Sequence, residues 1–188
     1  MKQTITALFM ILSTCCLAQE INKEIKNDFN EYYRLVSSKN LEGALNYTNP
    51  KVFEVIPREQ VKSALQTVYN TPNLEYKTGV LSYIKFENVK RINNVNYVKF
   101  YINAPLEIKL TDQKMTPEKL NQMKSNLEAK FGKGRVLYDE KTGFFKINQE
   151  KIVIANADDK LKDWTFIMVD NPKMKALLKE IVPAELLD

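Results

Sequence analysis

Few residues in this chain have the types and spacing that chemistry needs. The 188 residues include no histidine, which excludes Ser-His-Asp and Cys-His catalysis and the common zinc sites. The two cysteines, Cys15 and Cys16, stand side by side behind an apolar run. Asp158-Asp159 with Asp163 could form an acidic metal loop. A calcium loop, however, wants acids at alternating positions, a central glycine and a bidentate glutamate. Lys160 and Lys162 interrupt these acids, so the segment reads as a solvated turn. Gly132-Lys133-Gly134-Arg135 is too short for a phosphate loop, and its helix precedes the glycines instead of following them. It reads as a helix stop and turn. Asn46-Tyr47-Thr48 fits a glycosylation sequon, which matters only in eukaryotic secretion. Nothing here calls for a metal or a cofactor.

The cysteines belong to a segment with its own pattern. Met1-Lys2 is a short basic start, Ile5 to Leu12 an apolar run, and Cys16-Leu17-Ala18 a small-residue end. That order is a secretory signal peptide. The run is too short to cross a bilayer, which takes ~20 apolar residues. Cleavage is expected between Ala18 and Gln19, giving a signal peptide at 1–18 and one domain at 19–188. The alternative is lipidation: Leu12-Ser13-Thr14-Cys15 resembles a bacterial lipobox, with Cys15 or Cys16 as the acylated residue. Thr14 departs from the small residues usual there. The Leu-Ala-Gln ending is similar to export signals common among Bacteroidetes, which implies the periplasm or the exterior, or a lipid anchor in the envelope. The remaining chain has no cysteine and must hold together by packing.

The chain carries a formal net charge of +5. The stretch from Lys109 to Arg135 holds seven basic and three acidic residues, spread around an apolar stripe. Nucleic-acid binding wants a basic patch with stacking aromatics on one surface, so none is expected.

The elements that must position any site follow from periodicity. Ile21, Ile25, Phe29, Tyr32 and Val36 share one helix face. A helical turn at Leu41 to Leu45 follows, and Val52 to Ile56 reads as a short extended or buried piece. A helix after Pro57 sets Val61, Ala64, Leu65 and Val68 on one face. Glu75 to Arg91 and Val95 to Leu110 are then rich in β-branched and aromatic residues, with Asn93-Asn94 as a tight turn. Alternation puts Val98, Phe100, Ile102, Ala104 and Leu106 on a core face, and Tyr97, Lys99, Tyr101 and Asn103 on a partly wet one. Thr116-Pro117-Glu118 opens a helix with the stripe Leu120, Met123, Leu127 and Phe131, closed by Gly132. Four short strands and a closing helix bearing Leu177, Leu178 and Ile181 complete the chain. Helices first and strands later predict α+β with a mostly antiparallel sheet.

Nine tyrosines and nine phenylalanines leave two uses open. Tyr33, Phe86, Phe100 and Phe166 could line an apolar pocket, or the rings could fill the core.

The run from Phe29-Asn30-Glu31-Tyr32-Tyr33 to Leu41-Glu42-Gly43-Ala44-Leu45, then Val52-Phe53-Glu54 and Gln60 to Leu65, resembles the opening of the NTF2-like (SnoaL/ketosteroid-isomerase-like) superfamily. Lys162-Asp163-Trp164-Thr165-Phe166-Ile167 is similar to its closing strand, and Leu177 to Pro183 to endings of exported Bacteroidetes proteins. The resemblance implies a cone of N-terminal helices on a curved antiparallel sheet, with Leu120 to Phe131 and the following hairpin as an insertion. It also implies a weak homodimer and a mouth that holds an apolar ligand. Because the chain lacks histidine and no catalytic residue of the superfamily can be placed in it, the expected role is to bind an apolar or amphipathic small molecule or a protein partner, without catalysis. Two other functions stay open. One is an isomerase or dehydratase using a buried carboxylate that faces a tyrosine. The other is an envelope-associated, lipoprotein-like accessory. Fold alone does not choose among them.

Overall fold

The computed structural model describes residues 2–111, 115–169 and 172–187, with side chains described from Gln19 onward except at 172–174. Helix α1 (Lys2–Ser37) runs without a break past Ala18 and Gln19. The side chains of Cys15, Cys16 and Ala18 lie outside the described residues. From Gln19 on, the expected stripe is present: Ile21, Ile25 and Phe29 are buried. Leu35 is buried too, on the flank that meets helix α2 (Leu41–Leu45). The helix stops because Lys39 turns to φ 60°. The amides of Lys39 and Asn40 then close on the carbonyls of Val36 and Leu35, a Schellman ending. Asn40 goes on to cap α2 by accepting the Gly43 amide at 3.1 Å.

Val52 to Ile56 is not extended. Val52–Val55 forms a helical turn, α3, because the Asn49 side chain accepts the Lys51 amide at 2.9 Å and its carbonyl takes the Val52 amide. Helix α4 (Arg58–Tyr69) follows. The strands are β1 (Leu74–Thr78), β2 (Ser82–Phe86), β3 (Lys90–Ile92), β4 (Val95–Asn103) and β5 (Leu106–Leu110). After α5 (Pro117–Phe131) come β6 (Val136–Asp139), β7 (Phe144–Ile147), β8 (Glu150–Ala157) and β9 (Thr165–Val169), then α6 (Pro172–Leu178) and α7 (Ala184–Leu187). The turn between β3 and β4 has Asn93 at φ 49° and Asn94 at φ 61°, the two positive values a type I′ hairpin requires.

The strands form two antiparallel sheets. The first has the order β2-β4-β8-β9, with β3 also on β4; the second is β1-β5-β7-β6. Three chain segments pass from one sheet to the other: β1 into β2 at Gly79, β4 into β5 at Ala104-Pro105, and β7 into β8 at Asn148-Gln149. The bends are tied together. The Gly79 amide donates to the Pro105 carbonyl and the Ala104 amide to the Gln149 carbonyl, each at 2.8 Å. Val95 to Leu110 is therefore two strands, not one. Pro105 has no amide to give a ladder, and beyond it Leu106 joins a different core. Gly79 is required at its bend, since a Cβ there would stand 2.7 Å from Cβ of Pro105.

Three cores result. α1 packs Ile21, Ile25 and Phe29 on Val98, Phe100, Val153 and Phe166 of the first sheet. On the opposite face of that sheet, Leu178, Val182, Leu186 and Leu187 of the C-terminal tail cover Tyr97, Ile154 and Ile167. Tyr97 and Lys99 are thus buried, where alternation alone left their face partly wet. The stripe of α5 covers Ile108, Val136, Phe145 and Ile147 of the second sheet.

Candidate functional site

Phe29 fixes the face of α1 that enters the core. Its ring meets Phe100 at 5.2 Å and Phe166 at 4.9 Å, both edge to face. Asp28, one residue earlier, is thereby held on the shoulder of the helix, half-buried. The connection from β8 to β9 comes to meet it. That turn is shaped by Asp158, whose side chain accepts the Lys160 amide at 2.9 Å and whose carbonyl accepts Asn96 Nδ2 at 2.7 Å. Asp159 is turned outward to Arg91, 2.6 Å away. Leu161 and Asp163 take positive φ, which brings Trp164 under the turn. The indole Nε1 donates to the Leu161 carbonyl at 3.1 Å, and the ring is 1 % exposed.

The Trp164 amide donates to Oδ2 of Asp28 at 3.0 Å. Around this bond opens a cleft of about 440 Å³, lined by Asp28, Glu31, Tyr47, Asp163 and Thr165 among others. The segment holding Tyr47 is locked to the sheet edge: the Phe166 amide donates to the Tyr47 carbonyl and the Asn49 amide to the Phe166 carbonyl. Asn49 Nδ2 donates to Asn156 Oδ1 at 2.7 Å, which also accepts the Thr165 hydroxyl.

Burial pushes the Asp28 carboxyl above its ordinary value. The Trp164 amide works against that shift, while Glu24 and Asp163 add to it by repulsion. Because folding raises this pKa, the folded chain holds the proton more tightly. Stability contributed here is present at low pH and is lost as pH rises through the raised value. Burial also raises the Tyr47 phenol, and the charges of Asp28 and Glu31 raise it further. Glu31 shifts the other way, because Arg34 binds it at 2.6 Å. The cleft therefore sets a half-buried carboxyl, whose charged form burial disfavours, beside a phenol.

The four aromatic residues expected to line a pocket lie elsewhere. Phe86 stacks on Phe100 at 5.0 Å, and Phe100 and Phe166 are buried against Phe29. The Tyr33 hydroxyl donates to the Gly79 carbonyl at 3.1 Å, tying α1 to a sheet bend. None of the four lines the Asp28 cleft. Asp28 and Tyr47 gave no catalytic or binding signal in the sequence; Asp163 did, but in company with Asp158 and Asp159, neither of which lines the cleft. Among the described residues no cluster of acids is arranged to hold a metal ion. The glycines after α5 lie at φ 105° and 77° in the turn into β6. No helix among the described residues is long and apolar enough to cross a membrane. No family model matches the chain, and no curated protein matches it.

Proposed function

We propose that the chain is an exported NTF2-like domain that works by binding, not catalysis, and that an amphipathic small molecule with a cationic or donor head docks at the Asp28 cleft. The superfamily reading is supported by the order of elements: a long helix, short helices, then two antiparallel sheets joined by three segments that bend from one into the other. The observation that carries the binding site is Asp28, a half-buried carboxylate lining an open cleft and fixed there by the Trp164 amide. The aromatic packing argues against a wholly apolar ligand, because Phe29 and Phe100 are fully buried against each other and against Phe166 and Phe86.

Trp164 is the only tryptophan, so its fluorescence reports the cleft directly. Titration with decylammonium below its micelle concentration should give a saturable change that decanoate does not give and that Asp28→Asn abolishes. An equal response from both probes, or from the variant, rejects this site.

A second reading has one observation in its favour: a carboxyl raised by burial beside a tyrosine is the pairing that a general-base isomerase or dehydratase uses. Proton exchange at the α-carbon of a cyclic ketone, measured with Asp28→Asn as the blank, separates it from pure binding. Exchange that depends on Asp28 supports the enzyme; exchange equal to the blank leaves binding.

A further inference from the structure

Between the end of α1, helix α2 and the second half of α4 lies a polar cavity of about 330 Å³ that shares no residue with the Asp28 cleft. Lys62, Gln66, Tyr69 and Asn70 recur at helical spacing and bring one face of α4 to it. Lys39 and Asn40 meet them from the turn between α1 and α2, whose course the Schellman ending of α1 fixes.

The groups on its wall differ in what they have already bound. Both carboxylate oxygens of Glu42 are taken, Oε1 by Arg58 and Oε2 by Lys62, each at 2.9 Å, and Glu59 stands 3.9 Å from Lys62. Lys39 has no carboxylate within salt-bridge reach among the described residues; its Nζ meets the Tyr69 ring, 5.9 Å from the centre. Asn40 spends its side-chain oxygen on the Gly43 amide. Its Nδ2, and the side-chain amides of Gln66 and Asn70, have no partner among the described residues. Tyr69 is half-buried, is braced edge-on by Tyr76 at 6.5 Å, and is the aromatic member of the wall.

We propose that this cavity is a second small-molecule site and that it takes a hydroxylated carboxylate of the sugar-acid class. Each part of that ligand answers a group on the wall. Its carboxylate accepts from Lys39, the cation that no acid neutralises. Its hydroxyls both donate and accept, as the amides of Asn40, Gln66 and Asn70 do. The C–H face of its ring lies against Tyr69. The volume suits a small ligand. Lys39, Asn40, Gln66 and Asn70 are exposed, so the affinity is modest. The charge it prefers is opposite to that of the Asp28 cleft, and the inference does not rest on that reading.

Proton–nitrogen correlation NMR of the full chain tests it, because the side-chain amides of Asn40, Gln66 and Asn70 are themselves the reporters. Glucuronate should shift them saturably and leave the Trp164 indole unmoved. Glucose lacks the carboxylate and cyclohexanecarboxylate lacks the hydroxyls. Each should bind about tenfold more weakly or worse, the factor expected for losing a hydrogen bond to a charged group or several neutral ones. Lys39→Gly removes the cation at a φ of 60° that suits glycine, and should weaken glucuronate by a similar factor. Gln66→Ala, at an exposed helix position, should weaken it in the same sense. The proposal is overturned if glucuronate gives these amides no saturable shift, if either control binds as well, or if both variants bind as the native chain does.

Discussion

The two sheets share three continuous segments, yet they are held in opposite ways. The first is covered on both faces, by α1 on one side and by the C-terminal tail on the other. Its interior interlocks through rings: Phe29 meets Phe100 and Phe166 at near right angles, while Phe86 lies flat on Phe100. The second sheet is covered on one face only, by the half-buried stripe of α5. Its other face is a charge ladder, with Glu75 opposite Lys109, Lys77 opposite Glu107, and Glu107 opposite Lys146. Phe144 is buried on that face only because lysines arch over it, with Lys77 Nζ 4.1 Å from the ring centre. One run of chain thus serves as a two-sided core and then, past a bend, as a solvated surface. The candidate cleft lies at the rim of the two-sided sheet, where packing can hold a carboxylate in an unfavourable setting.

This contrast predicts an order of sensitivity. Phe29→Ala removes the ring at the centre of the first sheet's core and should cost about 3–5 kcal/mol in denaturant unfolding. A cost below that of any α5 substitution would remove the distinction between the sheets. Gly79→Ala tests the bend that joins them. Its Cβ would stand 2.7 Å from Pro105, and overpacking of this kind costs about 1–3 kcal/mol. Leu127→Ala, in the half-buried stripe of α5, should cost about 1 kcal/mol, in keeping with partial burial.

The charge ladder should answer to pH in a way the first sheet does not. Asp139 is held down at about 2, chiefly by its bond to Lys146 at 2.8 Å and further by the amides of Thr142 and Lys141. Since folding depresses this pKa, its contribution is fully present above the unfolded value near 3.8 and is lost as pH falls towards about 2. Acid unfolding of Lys146→Met should therefore lack part of the stability that the native chain gains between those values. With Lys146 exposed and solvent screening the pair, it should give the smallest effect of the four.

How far the sequence could be read follows the same division. Helices α1 and α5 were legible because their apolar residues keep step with the helix and their ends carry strong signals, such as Thr116-Pro117 and Gly132. Asn93-Asn94 was legible because few residues tolerate positive φ twice in succession. The break at Ala104-Pro105 was not, since alternation continues through it and the change of core is a tertiary event. The stripe of α4 predicted burial, but only Val61 and Leu65 are half-buried, while Ala64 and Val68 are exposed, and the Glu42 ion pairs of Arg58 and Lys62 hold the helix in place. The cleft was hidden for another reason. It joins Asp28, Tyr47 and residues 163–165, which only α1 and the edge of β9 bring together.

The most direct test of the account is the ionisation of Asp28, followed by carbon NMR of its carboxyl with and without decylammonium. The account predicts a pKa above the ordinary 3.8 in the free protein and a fall when the amine is bound, as the cation offsets burial. A free-protein value at or below 3.8, or one that the amine leaves unmoved, contradicts it.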